Sequence, residues 1–271
     1  MSATSGAVEA LYRRDGEAFV GTNATQSSWS PGSQAGGAVL ALLGHVLEDV
    51  PTLTPMSLSR LTVDLVRPVP IGERLWIDHT VIREGKVIQV VDSVVRSTDS
   101  ECVRARTLRI RDQELGGDAA LAATTDDHGV VQALPAPHQL PSTGDLPGVA
   151  GFLGAGVELR RNNEPLDGPS IAWVRLRVPV VAGEPIRATS RVTAPMDCVN
   201  LIGVHGLPPA VTAINPDVSA HVMRSPVGEW VALVGDTRFA SSIAHGFSMA
   251  TMIDLDGVFG VTSTSQVVQR H

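Results

Sequence analysis

Residues 63–73 read VDLVRPVPIGE, and residues 220–229 read AHVMRSPVGE. In the first stretch Arg67 leads to Pro70-Ile71-Gly72-Glu73. In the second, Arg224 leads to Pro226-Val227-Gly228-Glu229, with one residue fewer between. The two arginines stand 157 positions apart, and the same step carries Asp99 to Asp256. Two independent landmarks at one spacing predict a duplicated domain. A chain of 271 residues has room for two domains of roughly 100–150 residues each.

Upstream of the first stretch, Ala35, Val39, Leu42, Leu43, Val46 and Leu47 recur at helical spacing, with Ser33 as a candidate cap and Pro51 as the stop. Strands follow. Leu61, Val63 and Leu65 alternate with Thr62 and Asp64, and Leu75, Ile77, His79 and Val81 share a face. Residues 87–95 are rich in β-branched side chains, and residues 102–111 close the half. In that last run the apolar side passes from Val103 and Ala105 to Leu108 and Ile110, which predicts a bulge or a face shared by two partners. The repeat places a second helix around residues 184–197, with a kink or last turn at Pro195.

Between the halves, Asp112, Glu114, Asp118, Asp126 and Asp127 are followed by Pro135, Pro137, Pro141 and Pro147, and no Lys or Arg occurs between Arg111 and Arg160. That composition predicts a surface linker, within which residues 119–123 are a candidate short helix. The expected organisation is an N-terminal domain over residues 1–112, a linker over 113–148 and a C-terminal domain over 149–271. One helix followed by about four antiparallel strands, repeated, is an α+β pattern: each half is an antiparallel sheet wrapped round one long helix. The edges of the two sheets are expected to pair and hide each other. A doubly wound fold is disfavoured because strands follow strands without intervening helices.

The net charge of −7 argues against nucleic acid as a partner, because phosphate binding needs a basic field. An anionic small ligand would need a local cluster. Arg104, Arg106, Arg109 and Arg111 form one candidate run and Arg160–Arg161 another, with solvated strand faces as the plainer reading. Cys102 and Cys198 lie far apart and are expected to be reduced core thiols. Residues 1–14 lack the basic and apolar regions of a secretory leader, and no apolar run has the length to span a bilayer. A soluble cytoplasmic protein is the expectation.

Gly246-Phe247-Ser248-Met249-Ala250 echoes a nucleophile elbow, but another β-like run follows where a helix is required. Neither a phosphate-binding glycine loop nor paired histidines at metal-ligand spacing are present, so no cofactor and no metal are expected. His79 and His221 sit at strand positions and read as packing residues.

Two polar sites carry more weight. Gln34-Ala35-Gly36-Gly37 opens the first helix, where glycines cost helix stability but let a ligand approach free N–H groups at the positive helix end. Close helix–sheet packing explains the glycines equally well. The second site is Asp197-Cys198-Val199-Asn200 with Asn215-Pro216-Asp217. A carboxylate closing a helix opposes the dipole, which suggests a task such as orienting or deprotonating a water. Ordinary turn formation is the plainer alternative for the Asn and Asp residues.

Taken together, these residues resemble the acyl-CoA thioesterase II (TesB-like) family, especially its actinobacterial-type members. The likeness runs through Trp29-Ser30-Pro31 to Gln34 and Gly36-Gly37, then residues 65–70 (LVRPVP) and 172–177 (AWVRLR). It continues with Asp197 and Asn200, residues 214–217 (INPD), residues 226–230 (PVGEW) and the terminal Asp-Gly strand. The resemblance implies two fused hotdog domains, assembled further as a homo-oligomer, that hydrolyse acyl-CoA without a covalent nucleophile or a metal. In that family an Asp, a Thr and a Gln hold the attacking water. Asp197 matches the Asp, and the Thr position falls on Asn215. The Gln position falls on Thr264 or Ser265 when counted without gaps, and on Gln266 with an insertion of one or two residues; a one-residue slip turns the side chain to the opposite face. The substrate-binding candidates are Gln34, Gly36, Gly37 and Asn200.

Three readings follow from the sequence. The first is a thioesterase, and the second is a non-catalytic acyl-CoA or fatty-acyl binding protein with a degenerate site. The third is a hotdog dehydratase or hydratase, ranked last because neither half shows a His near its helix start.

Overall fold

The structure is a computed structural model describing residues 10–114, 131, 133–146, 148–162, 169–202, 211–240 and 242–270. The first half opens with a hairpin of β1 (Tyr12–Asp15) and β2 (Ala18–Gly21), turned at Gly16 with φ 63°. A left-handed first turn residue suits the twist of a two-residue hairpin and favours glycine. Helix α1 (Gly36–Leu47) follows, and all of it after Gly36 is buried. Then come β3 (Met56–Leu65), β4 (Arg74–Arg83), β5 (Ile88–Arg96) and β6 (Glu101–Arg111).

The second half repeats the plan with β7 (Val157–Arg161), β8 (Ser170–Leu176) and helix α2 (Ala188–Met196). Strands β9 (Val211–Ile214), β10 (Asp217–Val222), β11 (Val231–Phe239), β12 (His245–Asp254) and β13 (Gly257–Arg270) complete it. Pro195 lies in the last turn of α2, and a 3-10 turn over Asp197–Ile202 takes over from it.

All these strands form one antiparallel sheet that joins the halves at β3 and β10. From that seam outward the order is β3-β6-β5-β4-β2-β1 on one side and β10-β13-β12-β11-β8-β7 on the other. Across the seam Arg60 faces His221 and Asp64 faces Asp217. Each pair is the other advanced by 157 residues and reversed, so a local two-fold axis runs between the strands. The step persists inward, since Val63 opposite Ala105 corresponds to Ala220 opposite Thr262. This is a double hotdog: two antiparallel sheets, each wrapped round a helix, fused at the edge each would otherwise expose. The two helices pack against one another, with Ser190 Oγ donating to the Ala41 carbonyl at 3.0 Å. Among the described residues no helix is long and apolar enough to cross a membrane.

Several local expectations are corrected. Ser33 does not cap α1. The cap position is Ala35, which makes no side-chain bond, and Ser33 Oγ donates to the Ser30 carbonyl at 3.1 Å. The inward face of β6 does not switch. Val103, Ala105, Thr107 and Arg109 all point inward, and Ile110 is exposed. The bulge lies on the neighbouring strand, between Leu58 and Arg60 of β3.

Arg109 can take an inward position because acceptors meet it. Its Nη2 donates to the Val50 carbonyl at 2.8 Å, its Nη1 to the Leu47 carbonyl at 3.2 Å, and its Nε to Gln89 Oε1 at 2.8 Å. It thus binds carbonyls at and just beyond the C-terminal end of α1. Each half also has more than four strands, because the short β1, β2, β7, β8 and β9 carry too few residues for an alternating pattern to register. His79 is packed, with its Nδ1 2.8 Å from Ser93 Oγ, whereas His221 is exposed.

The proposed short helix at 119–123 lies outside the described residues. Further along, Val131, Leu134 and Leu140 pack against Trp173, Ala232 and Ile253, and the Trp173 indole donates to the Pro135 carbonyl at 2.9 Å.

Candidate active site

Asp197 closes α2 and is held at the start of α1. Its Oδ2 accepts the Gly37 N–H at 2.8 Å, and its Oδ1 accepts the Asn215 Nδ2 at 2.8 Å. Contrary to what the sequence suggests, the carboxylate does not simply oppose a helix dipole. It stands at the negative end of its own helix but caps the positive end of the other, a favourable placement. The arrangement has a counterpart in the first half, where Glu48, the residue after α1, accepts the Thr189 N–H of α2 at 2.8 Å. Antiparallel helices of equal rank cap one another.

The glycines follow from this geometry. A Cβ on Gly36 would lie 2.8–2.9 Å from the Asp197 carboxylate, and one on Gly37 would lie 2.5 Å from the Phe152 ring and 3.0 Å from the Ala194 carbonyl. Gly36 lets the acid approach the helix end, and Gly37 lets the second half pack against it. The close packing expected of the pair is thus against the other half's acid, the Phe152 ring and helix α2 rather than against the sheet.

The trio of polar residues comes together. Asn215 Nδ2 also donates to the Asp197 backbone carbonyl at 3.0 Å, and Gln266 Nε2 donates to Asn215 Oδ1 at 3.3 Å. Gln266 and Thr264 face inward on β13, and Ser265 faces out. The register is fixed by Asp217, whose carboxylate accepts the Ser265 N–H at 2.7 Å and whose carbonyl accepts the Thr264 hydroxyl at 2.6 Å. Behind Gln266 its Nε2 also donates to Ser248 Oγ at 2.9 Å, and Ser248 is 2.6 Å from Thr237 Oγ1. Sequence reasoning missed this support. Ser248 was considered only as a nucleophile, although the alternation of Ser248, Ala250 and Met252 along β12 marks it as inward-facing.

Asp197 and Asn215 line a cavity of about 370 Å³ with Gly36, Gln34 and Asn200. The apolar part of its wall includes Val39, Leu65, Val69, Ile214 and Val267, so both halves contribute. Gln266 is not on this wall; it stands one layer behind Asn215. Gln34 presents a surface whose amide is already bound, since Tyr12 donates to its Oε1 at 2.6 Å and its Nε2 donates to the Pro70 carbonyl at 2.8 Å. Burial pushes the Asp197 carboxyl above the usual carboxylate range, while the donors on Asn215 and Gly37 pull it back. Burial and the neighbouring Asp197 push the Cys198 thiol far up, so it stays a thiol.

Arg104 and Arg106 follow the plainer reading of solvated strand faces, whereas Arg109 is buried. Arg104 pairs with Glu101, Arg106 with Asp92 and Arg160 with Glu158, while Arg111 bonds Gln113 and Arg161 bonds the Leu201 carbonyl.

Two fused hotdogs with a polar cavity lined by both halves define the class of protein. Solved structures share that fold at low sequence identity. A thioesterase II candidate from Thermobifida fusca is 14% identical, with a TM-score of 0.73 over 98% of this chain and 100% of its own. A hot dog fold protein from Alicyclobacillus acidocaldarius is 13% identical, with a TM-score of 0.70 over 96% of both chains. The acyl-CoA thioesterase II TesB2 of Mycobacterium marinum is 13% identical, with a TM-score of 0.65 over 94% of this chain and 92% of its own. A search of curated protein sequences finds no match. The chain belongs to the acyl-CoA thioesterase family: the family's N-terminal domain matches residues 25–110 and its C-terminal domain residues 130–268. It is thus a thioester hydrolase.

Proposed function

We infer that the chain hydrolyses acyl-CoA to free acid and CoA with a water activated by Asp197. The observation that carries this reading is the hydrogen-bonded series Gln266–Asn215–Asp197, ending on a cavity wall at the first turn of α1. Asp197 takes a proton as the water oxygen attacks the thioester carbonyl carbon. The carbonyl oxygen becomes an oxyanion beside the start of α1, where the first N–H groups of a helix have no intrahelical acceptor. Gly36 is at that position and lines the cavity. When the oxyanion collapses and the C–S bond breaks, the proton held by Asp197 passes to the departing CoA sulfur, which leaves the free acid and CoA and returns Asp197 to its carboxylate form. Asn215 fixes the carboxylate's orientation, Gln266 fixes Asn215, and Asn200 lies on the wall as a further polar contact. Gln34 and Gly37 shape and hold the site.

A panel of acyl-CoAs assayed for thiol release, with Asp197→Ala beside wild type, tests the reading. Turnover that vanishes in the variant supports it. Binding of acyl-CoA without release by wild type would favour the non-catalytic binding protein instead. The substrate class fits the cytoplasmic setting expected from the sequence. The exposed apolar side chains Phe247, Met249 and Val261 on the outer sheet face support a homo-oligomer, which light scattering on the eluting protein checks.

A further inference from the structure

Arg67 and Arg224 hold corresponding places in the two repeats, yet their partners differ. Arg224 is neutralised: its Nη1 and Nη2 donate to the two Asp254 oxygens at 2.5 and 2.8 Å, and Nη2 also reaches the Gly257 carbonyl at 3.3 Å. The residue 157 positions before Asp254 is Ser97, which carries no charge. Arg67 bonds a carbonyl at the start of β6, with Nη1 donating to the Glu101 carbonyl at 3.0 Å. The Glu101 carboxylate is bonded by Arg104 and acts on Arg67 only through space. Among the described residues no carboxylate pairs with Arg67.

Arg67 is exposed, and it is the one cationic side chain among the described residues lining the cavity that holds Asp197 and Asn215. The arginine paired with an acid is the one away from the cavity, and the arginine on the cavity has no such pair among the described residues.

We propose that Arg67 anchors the phosphate end of CoA at the rim of this cavity and so sets the preference for CoA esters over simpler thioesters. The proposal rests on the reading of the same cavity as the acyl-CoA site. In a protein of net charge −7, a phosphorylated ligand needs a local cation. A guanidinium offers a planar fork of donors that matches phosphate oxygens. The other arginines of the two runs have partners of their own: carboxylates for Arg104, Arg106 and Arg160, backbone carbonyls for Arg109 and Arg161, and Gln113 for Arg111.

The test compares kcat/KM for an acyl-CoA with that for the N-acetylcysteamine thioester of the same acid, which lacks phosphate, in wild type, Arg67→Gln and Arg67→Lys. Binding of desulfo-CoA is measured in parallel by calorimetry. Arg67→Gln should lower the preference for the CoA ester about ten-fold, through KM and not kcat, and should weaken desulfo-CoA binding by a similar factor. Arg67→Lys should recover much of the loss. A preference that Arg67→Gln leaves unchanged, or a loss equal on both substrates, overturns the proposal. If wild type hydrolyses neither thioester but desulfo-CoA binding still weakens in Arg67→Gln, the hydrolase reading fails and the anchor stands. Desulfo-CoA affinity unchanged by the substitution overturns the anchor whatever the turnover.

Discussion

Replacing Asp197 by Asn keeps the size and shape of the side chain but removes the base. The carboxylate accepts two donors, the Gly37 N–H and the Asn215 amide, both at 2.8 Å. An Asn side chain can accept only one of them, so one donor loses a charge-assisted partner, worth about 1.5–3 kcal/mol. Against this, the site no longer has to bury a charge, and the upward shift of the Asp197 carboxyl says that its surroundings disfavour that charge overall. The two effects nearly cancel, and the expected change in stability is about 1 kcal/mol or less. Catalysis has no such offset. Loss of a positioned general base typically costs about 10²–10⁴-fold, or roughly 3–5 kcal/mol of barrier. Asp197→Asn should therefore unfold within a few degrees of wild type while kcat for thiol release falls at least a hundred-fold. A folded variant that loses less than about ten-fold would refute the assignment, because a water oriented by Asp197 cannot then be the nucleophile.

Other perturbations separate the parts of the site. Asn215→Leu removes a donor that holds the Asp197 carboxyl down, so the carboxylate ionises at higher pH; the acid limb of the kcat/KM profile should move upward, and a limb that stays put counts against the coupling. Gly37→Ala places a methyl 2.5 Å from the Phe152 ring, and overpacking of this kind costs about 1–3 kcal/mol, which a thermal melt should show as a fall of several degrees. Gly36→Ala meets the Asp197 carboxylate instead, so its main effect should be on kcat. Arg109→Met strips partners from Gln89 and from the carbonyls of Leu47 and Val50, for an expected loss of about 3 kcal/mol in denaturant unfolding and no change in KM. Calorimetry with desulfo-CoA should give one site per chain, and two sites would mean that the repeats are functionally equivalent.

The duplication was legible because a two-fold axis writes the same register twice. Arg67 and Arg224, at the ends of β3 and β10, kept enough local sequence to mark it. Helix α1 was legible because its apolar residues recur at helical spacing and Pro51 follows it. What the sequence hid is tertiary in origin. A strand with an inward arginine reads as a change of face, because only the fold brings the open carbonyls of α1 to Arg109. Asp197 reads as misplaced, because the helix end that welcomes it is 160 residues away. The facing of Gln266 turns on register, and the register depends on bonds from Asp217 that join two strands distant in sequence.

The same axis explains why a duplicated fold would hold one polar site. The step of 157 carries Leu58 to Asn215 and Arg109 to Gln266. The reciprocal caps persist, with Glu48 on one side and Asp197 on the other. Beyond the caps the two halves diverge. In the first, an apolar side chain stands where Asn215 would be, and a buried arginine stands where Gln266 would be, spending its donors on the end of α1. That side has become structure. In the second, the corresponding positions form a series of amides whose last member opens onto a cavity. Arg224 and Arg67 diverge in the complementary sense: the arginine away from the cavity is neutralised by Asp254, and the one on its wall is not. Since both halves line the cavity, the first half can supply the helix end and the rim while the second supplies the series of amides. Placing a carboxylate at Ser97, the position 157 residues before Asp254, tests that division: Ser97→Asp should pair with Arg67 and weaken desulfo-CoA binding without touching the residues around Asp197.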